Sequence, residues 1–138
     1  MTKIILVIDA KFAKIYDAEG LAIKSLMSEY TADEFGIEHK KQSLRTGFNK
    51  QSNGGAHFFD PHTEAKEIER AEFSKKISTI IKEKISSNHF SELIVIAAPK
   101  MLNLMRKNFA KLPKIAIKEI AKDLVQSTES QIAKVAFA

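Results

Sequence analysis

Residues 90–106 read FSELIVIAAPKMLNLMR, and this stretch decides the class of fold. Its first half contains the continuous apolar run Leu93–Ala98, which is typical of a central strand covered on both faces. Pro99 ends the strand, and a helix is predicted over Lys100–Ala110, before Pro113 stops it. This helix places four apolar side chains on one face: Met101, Leu102, Met105 and Phe109. A buried strand that leads directly into an amphipathic helix indicates an α/β domain.

The N-terminal region indicates three further strands. Lys3–Ile8 is rich in β-branched residues, and Phe12–Tyr16 alternates in the manner of a strand. Leu21–Tyr30 predicts a third strand. The turns between them fall at Asp9–Lys11 and at Asp17–Gly20, which contain typical turn residues. Because the connections are this short, the three strands are expected to form an antiparallel meander.

A long helix is predicted from Pro61 to Ser86. Asp60 suits the N-cap of this helix, and proline suits its first position. Apolar side chains recur mostly at steps of three and four residues: Ile68, Phe73, Ile77, Ile80, Ile81 and Ile85. That spacing makes one apolar stripe, so the helix is expected to pack against the sheet.

The C-terminal region leaves one choice open. Lys114–Leu124 fits either a strand followed by a turn or a helix. Residues Thr128–Gln131 fit a capping box at the start of a short last helix. We therefore predict one α/β domain over residues 1–138, in which a mixed sheet joins the N-terminal meander to the central strand and packs against helices.

Composition and charge narrow the classes of function. The chain has 22 basic and 17 acidic side chains, a net charge of +5, which biases association toward nucleic acid or acidic surfaces. Cysteine is absent, which excludes disulfides, thiolate nucleophiles and thiolate metal sites. The apolar run Ile4–Ile8 is too short for a signal-peptide core, and no window approaches the ~20 apolar residues of a membrane span. We predict a cytoplasmic protein without a membrane partner; its oligomeric state is left open.

The segment at about residues 36–58, GIEHKKQSLRTGFNKQSNGGAHF, has no hydrophobic period and is long for a connection inside a domain. It carries four basic side chains and one acid, so its expected partner is anionic. The residues predicted to contact RNA are Lys40, Lys41, Arg45 and Lys50 by charge, with Gly54 and Gly55 allowing close approach of the backbone. Four phosphate contacts to a single strand would give a slope of roughly −3 in log affinity against log salt. The alternative is a solvated loop whose lysines bind nothing.

Motifs for metal binding and catalysis are weak. The imidazoles of His57 and His62 and the carboxylate of Asp60 could hold a metal, but Asp60 already suits the N-cap, and no other strong ligand lies at a telling spacing. Gly54-Gly55 is not followed by the Lys-Ser/Thr of a Walker loop, and no Gly-x-Ser-x-Gly elbow occurs. We therefore predict no catalytic residues, no metal and no cofactor.

The junction Ala97–Lys100 allows two interpretations. A strand that feeds a helix is where ligands bind in open α/β sheets, and Lys100, Arg106 and Lys107 add positive charge nearby. Alternatively, Pro99 only breaks the strand and the charges form a solvated helix face. We favour the second interpretation on the sequence.

Three blocks of the chain resemble the bacterial host attachment protein family. They are the opening strand-turn-strand ILVIDAKFAKIYDAEG, with Asp9, Ala10, Ala13 and Ile15; the strand-Ala-Pro-helix block of residues 90–106, with Pro99, Leu102 and Arg106; and the C-terminal segment Lys118–Leu124. Together the resemblance covers nearly the whole chain. The order and spacing of the three blocks identify the family better than any single block does.

The resemblance implies a fold related to the central domain of archaeo-eukaryotic peptide-chain release factors and of Pelota-type ribosome-rescue proteins. In release factors a Gly-Gly-Gln loop promotes hydrolysis of peptidyl-tRNA. Here Ala56 follows Gly54-Gly55, and Gln51 lies upstream. The resemblance therefore favours a non-catalytic module that binds ribosomal or other structured RNA in translation. One alternative is an attachment or interaction protein with a protein or polysaccharide partner, as the family name implies. A second is a peptidyl-tRNA hydrolase that uses Gln51 or His57.

Overall fold

The strands and helices of the chain were located in a computed structural model, which describes residues 2–37, 61–87, 89–110, 112 and 115–138. In chain order the elements are β1 (Thr2–Ile8), β2 (Phe12–Glu19), β3 (Ala22–Thr31), a short 3-10 helix (Asp33–Phe35), α1 (Pro61–Ser87), β4 (Glu92–Ala97), α2 (Pro99–Asn108), β5 (Ala116–Ala121) and α3 (Glu129–Ala136). The second strand runs three residues further than predicted, past Tyr16, because β3 pairs with it over that whole length.

The sheet has five strands in the order β3-β2-β1-β4-β5. β1 pairs antiparallel with β2 and parallel with β4. Outside this pair, β3 continues antiparallel from β2, and β5 continues parallel from β4. The predicted antiparallel meander and mixed sheet are therefore confirmed, with β1 at the centre of the sheet.

Two apolar cores lie on opposite faces of the sheet. Alternate residues of β1 divide between them: Ile4, Leu6 and Ile8 face α1 and α2, whereas Ile5 and Val7 face α3. The residues of β4 divide in the same way, which confirms that this strand is covered on both faces. Each large apolar side chain buried here contributes ~1.5–3 kcal/mol relative to exposure in water.

The apolar stripe of α1 packs against the sheet, with one exception. Phe73, Ile77 and Ile81 are completely buried, and Ile80 and Ile85 pack partly buried beside them. Ile68, predicted to belong to the stripe, is 37% exposed. The reason is geometric: at about 100° per residue, five residues place Ile68 about 140° around the helix from Phe73.

The open choice in the C-terminal region is resolved in favour of a strand. β5 pairs along β4 from Ala116 to Ala121, and two of its side chains fix neighbouring helices. Glu119 pairs with Arg106 of α2, and the Lys118 ammonium donates a hydrogen bond to the carbonyl of Ala136 in α3 at 2.7 Å. The predicted capping box of the last helix is confirmed, with Thr128 as the N-cap residue.

The predicted basic segment lies almost entirely outside the described residues. Its first two residues are described: Gly36 ends the 3-10 helix with a left-handed φ of 72°, and Ile37 is buried. Within the described ranges, none of the helices combines the length and the hydropathy that a membrane span requires.

Candidate functional site

The candidate site lies where the parallel strands β1 and β4 end, side by side in the sheet. From β1 the chain continues to β2, on one side of β1 in the sheet. From β4 it continues through α2 to β5, which lies on the other side. The direction of chain progression therefore reverses between these two strands. Open α/β sheets bind ligands at such a switch point, outside the carboxyl ends of the strands.

A cleft of about 420 Å³ occupies this position. Asp9 and Ala10 line it from the turn after β1, and residues 98–101 line it from the start of α2. The remaining lining residue is Arg70 from α1. The cleft thus collects side chains from three elements that are distant in the sequence.

Asp9 shapes the turn at one wall of the cleft. One carboxylate oxygen, Oδ1, accepts hydrogen bonds from the backbone N–H groups of Lys11 and Phe12, at 2.8 and 2.6 Å. The backbone N–H of Asp9 donates to the carbonyl of Phe12 at 2.9 Å. Asp9 is the aspartate of an Asx turn, a structural role that commits Oδ1 to the backbone.

Two cationic side chains and the start of α2 add positive charge to a cleft whose surface is mostly apolar. Arg70 is partly buried, and Lys100 is exposed. Helix α2 begins without a side-chain cap because Ala98 stands at the N-cap, and its first helical hydrogen bond runs from Leu102 N–H to the Ala98 carbonyl at 2.9 Å. The N–H groups of the first turn add the partial positive charge of a helix start.

Phe12 follows the Asp9 turn and is exposed, but it is not one of the residues that line the cleft. Its backbone is fixed by the Asp9 turn, and 42% of the residue is accessible to solvent. Side chains alternate along β2, and Ala13 and Ile15 face α1 and α2, so the Phe12 position belongs to the other face of the sheet from Arg70.

The chain enters the predicted basic segment at the same end of the sheet as the cleft. The N–H of Ala32, after β3, donates to the Lys11 carbonyl at 2.8 Å, and the N–H of Ile37 donates to the Ala32 carbonyl at 3.3 Å. Asp33 and Glu34 also lie at this edge, so the described charge there is mixed. The cleft and the start of the basic segment therefore lie at one end of the sheet.

The residues predicted to contact RNA all lie outside the described residues: Lys40, Lys41, Arg45, Lys50, Gly54 and Gly55. The same holds for Gln51, His57 and Asp60 and for the side chain of His62, so the possible metal site and hydrolase residues stay untested. Among the side chains that are described, none of the His, Asp and Glu residues gather in a group of three or more that could hold a metal.

Both interpretations of the strand-to-helix junction stay open. Pro99 ends β4 and opens α2, as the favoured interpretation expects, and Pro99 and Lys100 also line the cleft. Arg106, counted with Lys100 on the sequence, instead pairs with Glu119. Arg70 was missed, although the sequence carries a signal for it. It lies three residues before Phe73 and seven before Ile77, and therefore stands in line with the apolar stripe of α1.

Comparisons with known proteins identify the family. The family described as "Protein required for attachment to host cells" matches residues 4–135. An uncharacterized protein of Rickettsia prowazekii (strain Madrid E) is 37% identical over 145 aligned positions, which cover 100% of this chain and 94% of the relative. The match includes β1 and its turn, the cleft and all five strands. The chain therefore belongs to the family of proteins required for attachment to host cells.

Proposed function

We propose that this protein is a non-catalytic binding module that contacts ribosomal or other structured RNA through the end of the sheet that bears the cleft. The observation that supports the proposal best is the cleft itself, which Arg70 and Lys100 line together with the start of α2. Guanidinium and ammonium groups bind phosphates, which suits the backbone of a folded RNA.

The basic segment extends the proposed contact. Lys40, Lys41, Arg45 and Lys50 would contact further phosphates, and Gly54 and Gly55 would let the backbone approach the RNA closely. The resemblance to release-factor central domains supports the ribosome as the source of that RNA. No catalytic group is assigned, because Asp9, the acidic side chain among the described residues of the cleft lining, already holds its own turn.

Co-sedimentation with ribosomes tests this function. Purified protein is mixed with ribosomes at ~50 to ~300 mM salt, a range over which phosphate contacts weaken steeply. The wild type is compared with a variant in which Lys40, Lys41, Arg45 and Lys50 are alanine. We expect salt-sensitive retention of the wild type and its loss in the variant. If the wild type is not retained at any of the salt concentrations, or if both proteins are retained equally, the proposal is overturned.

A second candidate function is attachment to host cells through a protein or polysaccharide partner, and the family match favours it. It is tested by deleting the gene in the bacterium that carries it, measuring adhesion, and restoring either the wild type or Arg70→Gln/Lys100→Gln. Protease treatment of intact cells distinguishes a surface pool, which a direct adhesin needs, from an internal one. Normal adhesion of the deletion strain would exclude this function.

Peptidyl-tRNA hydrolysis is the remaining alternative. It would depend on Gln51 or His57 as the group that positions water. A ribosome-based release assay decides it: hydrolysis by the wild type that is lost in Gln51→Ala or His57→Ala would support it, and no ester cleavage would remove it.

A further inference from the structure

A second pocket, of about 240 Å³, lies between α2 and the strand β5. Val95 of β4 and Ile117 of β5 line it from the sheet. Leu102, Met105 and Phe109 line it from α2 and its C-cap. The pocket therefore lies on the face of the sheet that α1 and α2 cover, and among the described residues it shares no lining residue with the cleft.

The interior of this pocket is apolar. Val95, Met105 and Phe109 are each at most 2% exposed, whereas Ile117 is 38% exposed and marks the mouth. An apolar molecule gains free energy when it moves from water into such surroundings. An apolar cavity of about 150 Å³ is large enough for benzene, so a pocket of about 240 Å³ suits a molecule of two fused rings.

Three of the lining residues favour an aromatic ligand over an aliphatic one. The thioether sulfur of Met105 makes favourable contacts with the edge of an aromatic ring. The ring of Phe109 packs with a second ring in an offset or edge-to-face arrangement, which adds to the gain from burial. At the mouth, the exposed guanidinium of Arg106 supplies a cation for the face of a ring.

An ion pair at the mouth favours a neutral ligand with a hydrogen-bond donor. Arg106 of α2 and Glu119 of β5 both line the pocket, and Nη2 of the arginine lies 2.6 Å from Oε1 of the glutamate. The pair is neutral as a unit, so an ionic ligand would meet a like charge beside the group that attracts it. Among the described residues, Oε2 of Glu119 accepts a hydrogen bond from Nε of Arg106 alone, at 3.0 Å. A carboxylate oxygen has two lone pairs, so Oε2 can accept a second hydrogen bond from a ligand.

We propose that this pocket binds a neutral, two-ring aromatic molecule that carries an N–H or O–H group. The rings occupy the interior beside Met105 and Phe109, and the donor points to Oε2 of Glu119. Because the ligand contacts both α2 and β5, its binding stabilises this side of the folded domain. The site is separate from the proposed RNA contact and does not depend on it.

Indole is the probe, because it has two fused rings and one N–H group. Protein with ¹³C-labelled methionine methyl groups is titrated with indole to ~5 mM and observed by NMR. Met105 lines the pocket, whereas Met27 lies on β3 at the other edge of the sheet. We expect a saturable shift of the Met105 signal, with a Kd of ~1 mM or below, and no shift of the Met27 signal. Met105→Leu and Met27→Leu assign the two signals.

Two comparisons separate the polar contact from the apolar interior. Indene has the shape of indole but lacks its N–H group, so it should bind roughly tenfold more weakly. Ile117→Trp places a larger side chain at the mouth and should weaken indole binding by about tenfold or more. Leu26→Trp on β3 is the matched control, with 40% exposure against 38%, and should leave indole binding unchanged.

Four results would overturn the proposal. The first is the absence of a Met105 shift up to ~5 mM indole, and the second is equal affinity for indole and indene. The third is tighter binding of the anion benzoate than of indole. The fourth is a Met105 signal that shifts with protein concentration and not with indole, which would assign the pocket to a second copy of the chain. If Ile117→Trp does not fold, the comparison of indole with indene on the wild type decides the outcome.

Discussion

Arg106 and Glu119 join α2 to the edge strand β5 by a two-point ion pair. Nε of Arg106 lies 3.0 Å from each carboxylate oxygen of Glu119, and Nη2 lies 2.6 Å from Oε1. Nη1 of the same guanidinium donates to Asn103 Oδ1 at 3.1 Å, which orients the arginine on its own helix. The hydrogen bond from Arg106 lowers the pKa of Glu119, and burial opposes this only in part.

This ion pair predicts an acid-sensitive contribution to stability. The folded-state pKa of Glu119 lies below its unfolded value, so its contribution is present above the unfolded pKa and is lost as the pH falls through the folded pKa. In Glu119→Gln, the loss of unfolding free energy should be largest near neutral pH and should vanish in strong acid. Urea denaturation at a series of pH values measures it. Glu67→Gln, an exposed glutamate of α1, is the control. A deficit in Glu119→Gln that stays constant with pH would contradict the assignment.

The core between α1 and the sheet predicts a large effect at Phe73. This side chain is completely buried, and its ring centroid lies 6.1 Å from that of Phe35. Phe73→Ala removes that contact and leaves a cavity, which should lower the free energy of unfolding by ~3–5 kcal/mol. Phe12→Ala, at an exposed position, should change it by less than about 0.5 kcal/mol. Urea unfolding followed by circular dichroism compares the two variants. Similar losses in both would refute the described burial.

The capping box predicts a moderate effect at Thr128. Its hydroxyl oxygen accepts from the Gln131 N–H at 3.3 Å, and the Gln131 side chain accepts from the Thr128 N–H at 3.1 Å. Thr128→Ala leaves the first turn of α3 without that acceptor, at a cost of about 1 kcal/mol. Ser130→Ala, in the first turn of the same helix, serves as the control. Thermal unfolding of both variants checks the expectation, which fails if Ser130→Ala is the more destabilised.

The proposed RNA contact predicts a change in salt dependence. Arg70→Gln/Lys100→Gln removes two cationic groups from the cleft, and on single-stranded RNA each lost phosphate contact reduces the salt slope by about 0.7. We expect the negative slope of log affinity against log salt to become less steep by about 1.4. Fluorescence anisotropy with a labelled RNA hairpin that has an unpaired loop measures it.

The matched control for that measurement is Lys76→Gln/Lys82→Gln. It removes the same charge from exposed positions of α1 outside the cleft lining. An equal fall of the slope in both double variants would attribute the effect to net charge and would exclude the cleft as the contact.

Local patterns sufficed for most of the fold, and β5 shows where they failed. The apolar run of β4, the Asp9 turn and the capping box at Thr128 each carry their own structural signal within a few residues. In Lys114–Leu124, isoleucines and charges occur at spacings that satisfy both a strand and a helix. The strand forms because the edge of β4 offers a ladder of backbone partners, and no local window contains that information.

One part of the candidate site was predictable from the sequence, and another part was not. Pro99 and Lys100 follow a buried strand directly, so their position at a sheet edge follows from the sequence. Arg70 reaches the same cleft from the middle of α1, and its arrival depends on how that helix crosses the sheet. An arginine in line with an apolar stripe indicates an unusual position, but it does not identify the partner surface.

The central position of β1 imposes an order on folding. Its partner β2 follows after a three-residue turn, whereas on its other side the Ser91 hydroxyl just before β4 reaches Thr2 across a sequence separation of 89 residues. During synthesis the N-terminal hairpins can form as soon as they emerge, but one side of β1 and the apolar residues on both its faces stay uncovered until β4 and the helices arrive. Docking of β4 is therefore the expected slow step. A nascent chain halted before residue 92 would expose an unpaired strand edge and apolar surface, which chaperones bind and which promote aggregation.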